Sequence, residues 1–526
     1  MATTDVDVLI VGAGPTGLML ACQLARRGIR FQVVDRHSGP SVQTKALGVQ
    51  ARTLEIYAKL GIAEAAVALG RRASGANLWA NGRHSARIPL GDIGRELSAF
   101  PFLLILGQDD NERLLSDCLR EYGVAVQWNR ELVALTQHGD HVQCTLKHAD
   151  GSNQSIRARW LAGCDGAHSA VRTLNRVGFP GAPYEHVFFV ADTTASGPMV
   201  PGELNIYLLR DGFHLFFPMR GDNHWRVVGI LPPKLRARDD LAFDAIAPSV
   251  RAHVGAALNF SECRWLSTYR IHHRRAARFR GGRCFLLGDA AHVHSPVGAQ
   301  GMNTGLQDAY NLGWKLALVV GGRADEKLLD SYDAERLPVA RRLLETTDRA
   351  FSIIVSDGWI SRMLRTRIVA RIAAVAMRFS AMRRLGFRTV SQIGIHYRGS
   401  PLSQTDGSIS RKSPQPGDRF PWLRLKFSAD APTEDLYEKL DDTCFHLLVF
   451  GQPIPPTDNS ALKGLVRVHE ILSNPENSRR LAHVDIPERS YYLLRPDGHI
   501  GLAGVGVDGK RIERYFEECL RVRTAV

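Results

Sequence analysis

Residues 6–35 read VDVLIVGAGPTGLMLACQLARRGIRFQVVD, and this stretch decides the fold. Val6 to Val11 is a short run rich in β-branched residues, the pattern of a buried strand. It leads into Gly12-Ala-Gly14-Pro15-Thr16-Gly17, after which Leu18 to Arg27 continue as a helix. A second strand pattern, Phe31 to Val34, ends on Asp35. Strand, glycine turn, helix, strand and acid together make the βαβ setting that gives a GxGxxG motif its meaning. Here Gly12 makes the tight turn, Gly14 lets a pyrophosphate approach the backbone, and Gly17 lets helix pack closely on strand. Asp35 stands where a carboxylate accepts hydrogen bonds from a ribose hydroxyl. The helix N-terminus, with Pro15 and Thr16 in its first turn, faces the phosphates. The expected ligand is an adenine dinucleotide, and this unit alone does not separate NAD from FAD.

Farther along, residues 283–315 read RCFLLGDAAHVHSPVGAQGMNTGLQDAYNLGWK. A compact strand pattern ends at Gly288-Asp289, a loop holds Pro296, Gly298 and Gly301, and a helical pattern runs from Met302 to Leu318. Between the two glycine motifs, Trp160 to Arg172 (WLAGCDGAHSAVR) reads as a strand ending in an Asp165-Gly166 turn. On these three motifs the chain resembles the group A flavoprotein monooxygenases, the aromatic hydroxylases related to phenol and chlorophenol hydroxylases.

The resemblance implies FAD as cofactor, NADPH or NADH as electron donor, and hydroxylation of a phenolic substrate by O2 through a flavin C4a-hydroperoxide. It implies that Asp289 holds the ribityl chain and that Pro296 sits near the reactive edge of the flavin ring. Gly298 to Asn303, with Gly301 and Met302, then line the pyrimidine side, and Asp165 serves both FAD and the nicotinamide cofactor. Lys45 is placed near the diphosphate, with Arg36 adding charge, and Gln108 touches the flavin side chain. For Asp109 and Glu112 a capping box at a helix start is an equal explanation. Whatever the family, a helix start near Met302 carries partial positive charge that suits an anionic reduced flavin.

Between the Asp-Gly turn and Gly288 the pattern changes to short strands: Leu204 to Leu209, His214 to Pro218 and Trp225 to Leu231. In the family such a sheet roofs the flavin ring and carries the substrate pocket, so Tyr207 and His214 are the catalytic candidates and Phe216 a pocket residue. His272 and His273 either approach a phosphate of NAD(P)H or form a solvated run.

The expected class is α/β with α+β elements. A Rossmann-like FAD-binding domain (1–180 and 275–345) carries a mixed β-sheet substrate domain (181–274), with 75–100 assignable to that sheet. A basic helical segment (346–400) and a thioredoxin-like domain (401–526) follow. The last lacks a CxxC pair, since Cys444 stands without one, so its expected role is structural or dimer-supporting. With 526 residues the chain exceeds the roughly 250–300 at which single cores stop growing.

The net charge of +14 is concentrated: between Asp357 and Asp406 there are nine arginines and no acid. Ile360, Leu364, Ile368 and Ile372 recur there at helical spacing, the pattern of a basic amphipathic helix that serves as a surface, a dimer contact or a membrane-surface contact. No nucleic-acid module accompanies the charge. Eight scattered cysteines without a metal-ligand cluster indicate reduced thiols, no metal and a cytoplasmic setting. No secretory signal or transmembrane span is expected. Epoxidation or Baeyer-Villiger oxygenation of a polyketide, and a non-catalytic FAD-binding assembly protein, are the alternatives.

Overall fold

The computed structural model describes residues 4–522 apart from 42–45, 81, 210–211, 237, 239–240, 295–297, 356–378, 408, 429, 454–461 and 463. Lys45, Pro296 and the four apolar positions Ile360, Leu364, Ile368 and Ile372 therefore lie outside the described residues. Among the described residues no helix is long and apolar enough to cross a membrane.

The chain begins with β1 (Val6–Val11), α1 (Pro15–Ala25) and β2 (Phe31–Val34), as the glycine motif requires. After β3 (Gly75–Ala80) and β4 (Arg83–Pro89), α2 (Gln108–Glu121) leads to the strands β5 (Arg130–Gln137), β6 (Val142–His148) and β7 (Asn153–Gly163). Then come β8 (Gly181–Ser196), β9 (Leu204–Leu209), β10 (Gly212–Pro218) and β11 (His224–Ile230). They are followed by α3 (Phe243–Val254) and β12 (Asn259–Arg275). The chain returns through β13 (Arg280–Gly281), β14 (Cys284–Leu286) and β15 (His292–Val293) to α4 (Gly301–Val320) and α5 (Asp330–Val355).

Two sheets organise this part. In the first, β1 lies between β2 and β7, all parallel, and β14 continues on the far side of β7. Parallel strands covered on both faces need near-continuous apolar runs, and Val8, Leu9 and Ile10 are fully buried. The second sheet has the order β15-β12-β8-β11-β10-β9-β3-β4, so it takes in residues 75–89 and 292–293 beside the strands read from the sequence. At one end, β15 thus follows directly on the Gly288-Asp289 turn.

The carboxyl-terminal part holds α6 (Ser380–Val390), β16 (Gln404–Asp406), β17 (Phe445–Phe450), β18 (Val466–Ile471), β19 (Ser490–Leu494) and β20 (Ile500–Gly504), in the sheet order β16-β20-β19-β17-β18. It is docked by buried charge. Glu335 of α5 accepts from Lys315 Nζ at 2.7 Å and from Arg495 Nη1 at 2.6 Å, and all three side chains are fully buried. Burial alone would raise the Glu335 carboxyl, but Arg495 and Lys315 bring it down to about 2. Removing one partner of such a set leaves an uncompensated buried charge, which costs about 3–5 kcal/mol.

Candidate functional site

The first glycine turn is shaped by contacts that exclude any side chain. Gly12 has φ +104°, and a Cβ there would lie 2.3 Å from the Cys164 carbonyl oxygen; one on Gly17 would lie 1.9 Å from the Gly12 oxygen. Gly14 differs, because a Cβ on it would meet nothing within 4 Å. Protein packing does not require that glycine, whereas a ligand lying against the backbone does. The first turn of α1, which starts at Pro15, takes no side-chain cap, so its N–H groups suit a pyrophosphate. Asp35 closes the turn: one carboxylate oxygen accepts from the Ala13 N–H at 2.7 Å, the other from the His37 N–H at 2.9 Å. Arg36 follows it, exposed.

Thr16 joins this turn to the second motif. Its hydroxyl would be 2.6 Å from a Cβ on Gly288 (φ +58°) and 2.4 Å from one on Gly305, so both must be glycine for α1, the 288–290 turn and α4 to meet. Asp289 is exposed on that turn. Asp165 arrives from the end of β7, its backbone nitrogen 2.8 Å from where a Gly12 Cβ would be. One Asp165 carboxylate oxygen accepts from the Val171 N–H at 3.1 Å; the other is buried with no hydrogen-bond partner among the described residues. Burial pushes this carboxyl up. An orphaned buried acceptor is costly, and a ligand hydroxyl would satisfy it. The open cradle at Gly14 and this acceptor both fit an FAD laid across the three motifs.

The loop before α4 bends through left-handed backbone at Gly298 (φ +81°) and Ala299 (φ +52°). Asn303 pins it: its amide nitrogen donates to the Gly48 and Ala299 oxygens, both at 2.8 Å, and its oxygen accepts from Gln50 N (2.9 Å) and Thr53 Oγ1 (2.7 Å). Fully buried and committed to these four partners, the Asn303 side chain holds the loop. Gly301 starts α4, and Met302 receives an Asn111 amide contact at 3.2 Å. Gln108 starts α2, donates to Glu112 at 2.8 Å and ties its backbone N–H to the Ala46 oxygen at 3.0 Å. Gln50, Thr53 and Gly48 carry no motif in the sequence, and their place is set by packing against the loop.

The structure does not bring Tyr207, His214 and Phe216 to these motifs. They point to the α3 side of the second sheet, where Tyr207 stacks on Trp79 (5.3 Å between ring centres) and meets Phe216 edge-on at 5.5 Å. His214 Nε2 lies 3.2 Å from Nδ1 of His253 on α3, and burial together with that neighbour pushes His214 down to about 3. The residues that alternate with them face the other way. Phe188, Phe213 and Ile230 form an apolar cluster with Leu215, Tyr184 and Tyr269. Beside it, Ala76 and Leu204 pack with Leu47, next to the Gly48 on which the flavin loop rests.

At the edge of this second face, the Tyr184 hydroxyl donates to Asp348 of α5. His273 Nδ1 lies 3.9 Å from the other Asp348 oxygen and edge-on to the Tyr184 ring at 5.0 Å. In the β12–β15 ladder Arg274 pairs with Val293, so this cluster adjoins the start of the flavin loop.

Comparisons with known proteins agree with this geometry. The FAD-binding-domain family model matches residues 5–347. The chain is 34% identical to the 6-methylpretetramide 4-monooxygenase of Streptomyces rimosus, over 95% of this chain and 90% of that one. It is 31% identical to the pentachlorophenol 4-monooxygenase of Sphingobium chlorophenolicum, over 96% and 95%. Its structure is similar to that of an aklavinone-11 hydroxylase in ternary complex with FAD and aklavinone, with a TM-score of 0.82, 26% identity, and coverage of 99% and 100%. The chain belongs to the FAD-binding-domain family and is one of its flavin-dependent monooxygenases.

Proposed function

We propose that this enzyme uses NADPH or NADH and O2 to hydroxylate an aromatic, phenol-bearing substrate held between the flavin loop and the face of the second sheet opposite α3. The observation that carries the reading is that face itself: an aromatic and aliphatic wall, Phe188, Phe213, Leu215 and Tyr269, continuing into apolar packing beside the loop. Such a wall suits a flat ring and keeps water from it. Named relatives act on a pretetramide and on pentachlorophenol, which favours a phenolic ring alone or fused into a polycycle.

The bound FAD supplies oxygen-transfer chemistry that no side chain can. Asp35, Gly12, Gly14, Pro15, Thr16 and Gly17 would hold its adenosine and pyrophosphate, with Arg36 and Lys45 adding positive charge and Gln108 reaching the side chain. Asp289 and Asp165 would take ribityl hydroxyls, with Gly288 shaping the turn. Gly298, Gly301, Met302 and the N-terminus of α4 would face the pyrimidine side, where partial positive charge favours an anionic ring, and Pro296 the reactive edge. Tyr184, in place of His214, handles the substrate proton: its oxygen takes the proton of the substrate hydroxyl as its own passes to Asp348 Oδ1, one-third exposed and open to solvent.

The carboxyl-terminal unit, with its parallel pair β17–β18 at one edge and antiparallel β19 and β20, suits a thioredoxin-like scaffold without redox chemistry. The flavin domain would then comprise 1–180 and 275–345, and the substrate domain 181–274 with 75–100. A cytoplasmic enzyme with a second copy as partner completes the reading.

Purified holoenzyme assayed with simple and polycyclic phenols tests it. Substrate-stimulated NAD(P)H oxidation with a product one oxygen atom heavier is expected. Oxidation that yields only hydrogen peroxide across the whole panel would overturn it.

A further inference from the structure

The turn that carries Asp289 is held from below by a buried relay. The Gly288 N–H donates to Asp308 Oδ2 at 3.0 Å, and His292 Nε2 lies 2.7 Å from the same oxygen. Asp308 Oδ1 accepts from Arg336 Nε at 2.6 Å. Arg336 then donates to the Thr304 oxygen at 3.1 Å and, through Nη1, to the Tyr397 hydroxyl at 3.0 Å. Asp308, His292 and Arg336 are at most 1% exposed, and Tyr397 is 4% exposed. Burial would raise the Asp308 carboxyl, but Arg336 and His292 hold it below its ordinary range.

A second contact reaches the same loop independently. Gln392 donates to Thr304 Oγ1 at 2.8 Å and to the Gln300 oxygen at 3.3 Å, and accepts from Gln307 at 2.6 Å. Thus two residues from beyond α5, both after α6, end on the loop and helix start that would meet the flavin. Tyr397 is in turn seated against the carboxyl-terminal sheet, its ring 4.3 Å from that of His499 and under the Arg495 guanidinium at 5.3 Å.

We propose that Tyr397 and Gln392 are positioning residues for FAD, acting through Arg336, Asp308 and Thr304 on the 288–292 turn and the start of α4, so that the carboxyl-terminal part sets how tightly the cofactor is held. The geometry favours this over simple adhesion between the parts. The Glu335 set already supplies adhesion, whereas Gln392 donates to the Gln300 oxygen of the loop and Tyr397 backs the Arg336 that donates to the Thr304 oxygen at the helix start.

The test uses full-length protein and FAD alone, with the dissociation constant read by flavin fluorescence and the apo and FAD-bound melting temperatures read in parallel. Tyr397→Phe leaves a buried guanidinium N–H without its acceptor, and Gln392→Leu frees the loop oxygen. Each is expected to weaken FAD binding about fivefold and to shrink the gap between bound and apo melting temperatures. Leu448→Ala, in the core of the carboxyl-terminal sheet, is expected to lower both melting temperatures and leave the FAD constant unchanged. The proposal fails if both loop-directed variants keep FAD affinity within about twofold of the parent, or if Leu448→Ala weakens it as much as they do.

Discussion

The two faces of the eight-stranded sheet are both apolar, yet only one of them adjoins the flavin loop. Toward α3, Tyr207, Phe216 and Trp225 interlock with Phe243, Ile246 and Val250 in a closed core. On the reverse, Phe188, Phe213 and Ile230 form a smaller cluster whose flanking residues are only partly buried. The first arrangement stabilises; the second leaves aromatic surface for a ligand and places an ionisable cluster at its rim. Aromatic content does not mark a substrate site, since what matters is which face has already been covered by the chain's own helix.

The sharpest way to break this comparison is Tyr184→Phe. If Tyr184 moves the substrate proton, product formation per enzyme should fall about 100-fold or more with FAD content intact, and the limb of the pH–rate profile that reports substrate ionisation should move. An unmoved profile would return that face to a purely apolar role. Phe216→Ala should show the opposite signature: a loss of about 3–5 kcal/mol in stability, seen in denaturant titration, with KM of the folded fraction unchanged.

Phe213→Ala, on the same strand but facing the other way, should cost less stability and instead raise KM about tenfold, read from steady-state product assays across a substrate series. The smallest effect belongs to His214→Asn, whose pH–rate profile should match the parent's. Its stability should change with pH, however. The folded-state pKa is pushed down to about 3, so as pH falls below the unfolded value of about 6.5 the unfolded chain takes up the proton first. The parent therefore loses stability between pH 6.5 and 3 for this reason, and the variant should lose less, as acid titration of the folded signal would reveal.

The cofactor half was legible because its chemistry is written in backbone constraints. Gly12 and Gly288 need positive φ and Gly17 tolerates no Cβ, and these demands leave glycines at fixed spacings. Strands were legible too: Leu204–Leu209 runs as its apolar pattern implies. The direction of the sheet was not. On β10, Phe213, Leu215 and Phe217 alternate with His214 and Phe216, so both faces read as hydrophobic and the polar pair Tyr207 and His214 looked functional. What turned them inward was α3, a helix that carries Pro248 in its interior and gave little helical signal. The Tyr184–Asp348 bond and the Tyr397–Arg336–Asp308 relay join residues far apart in sequence, and local pattern carries no trace of such partners.

The Glu335–Arg495 link has a consequence for inheritance. The family match ends at residue 347, but the charge on Glu335 is answered by an arginine almost 150 positions beyond that limit. What recurs among relatives as one recognisable unit is thus, in this chain, completed by a charge from outside it. A gene fragment stopping at the match boundary would keep the Lys315 and Asn311 contacts to Glu335 but lose those of Arg495 and Ser400. Recombination that exchanged tails between relatives would have to bring a matching arginine with each one.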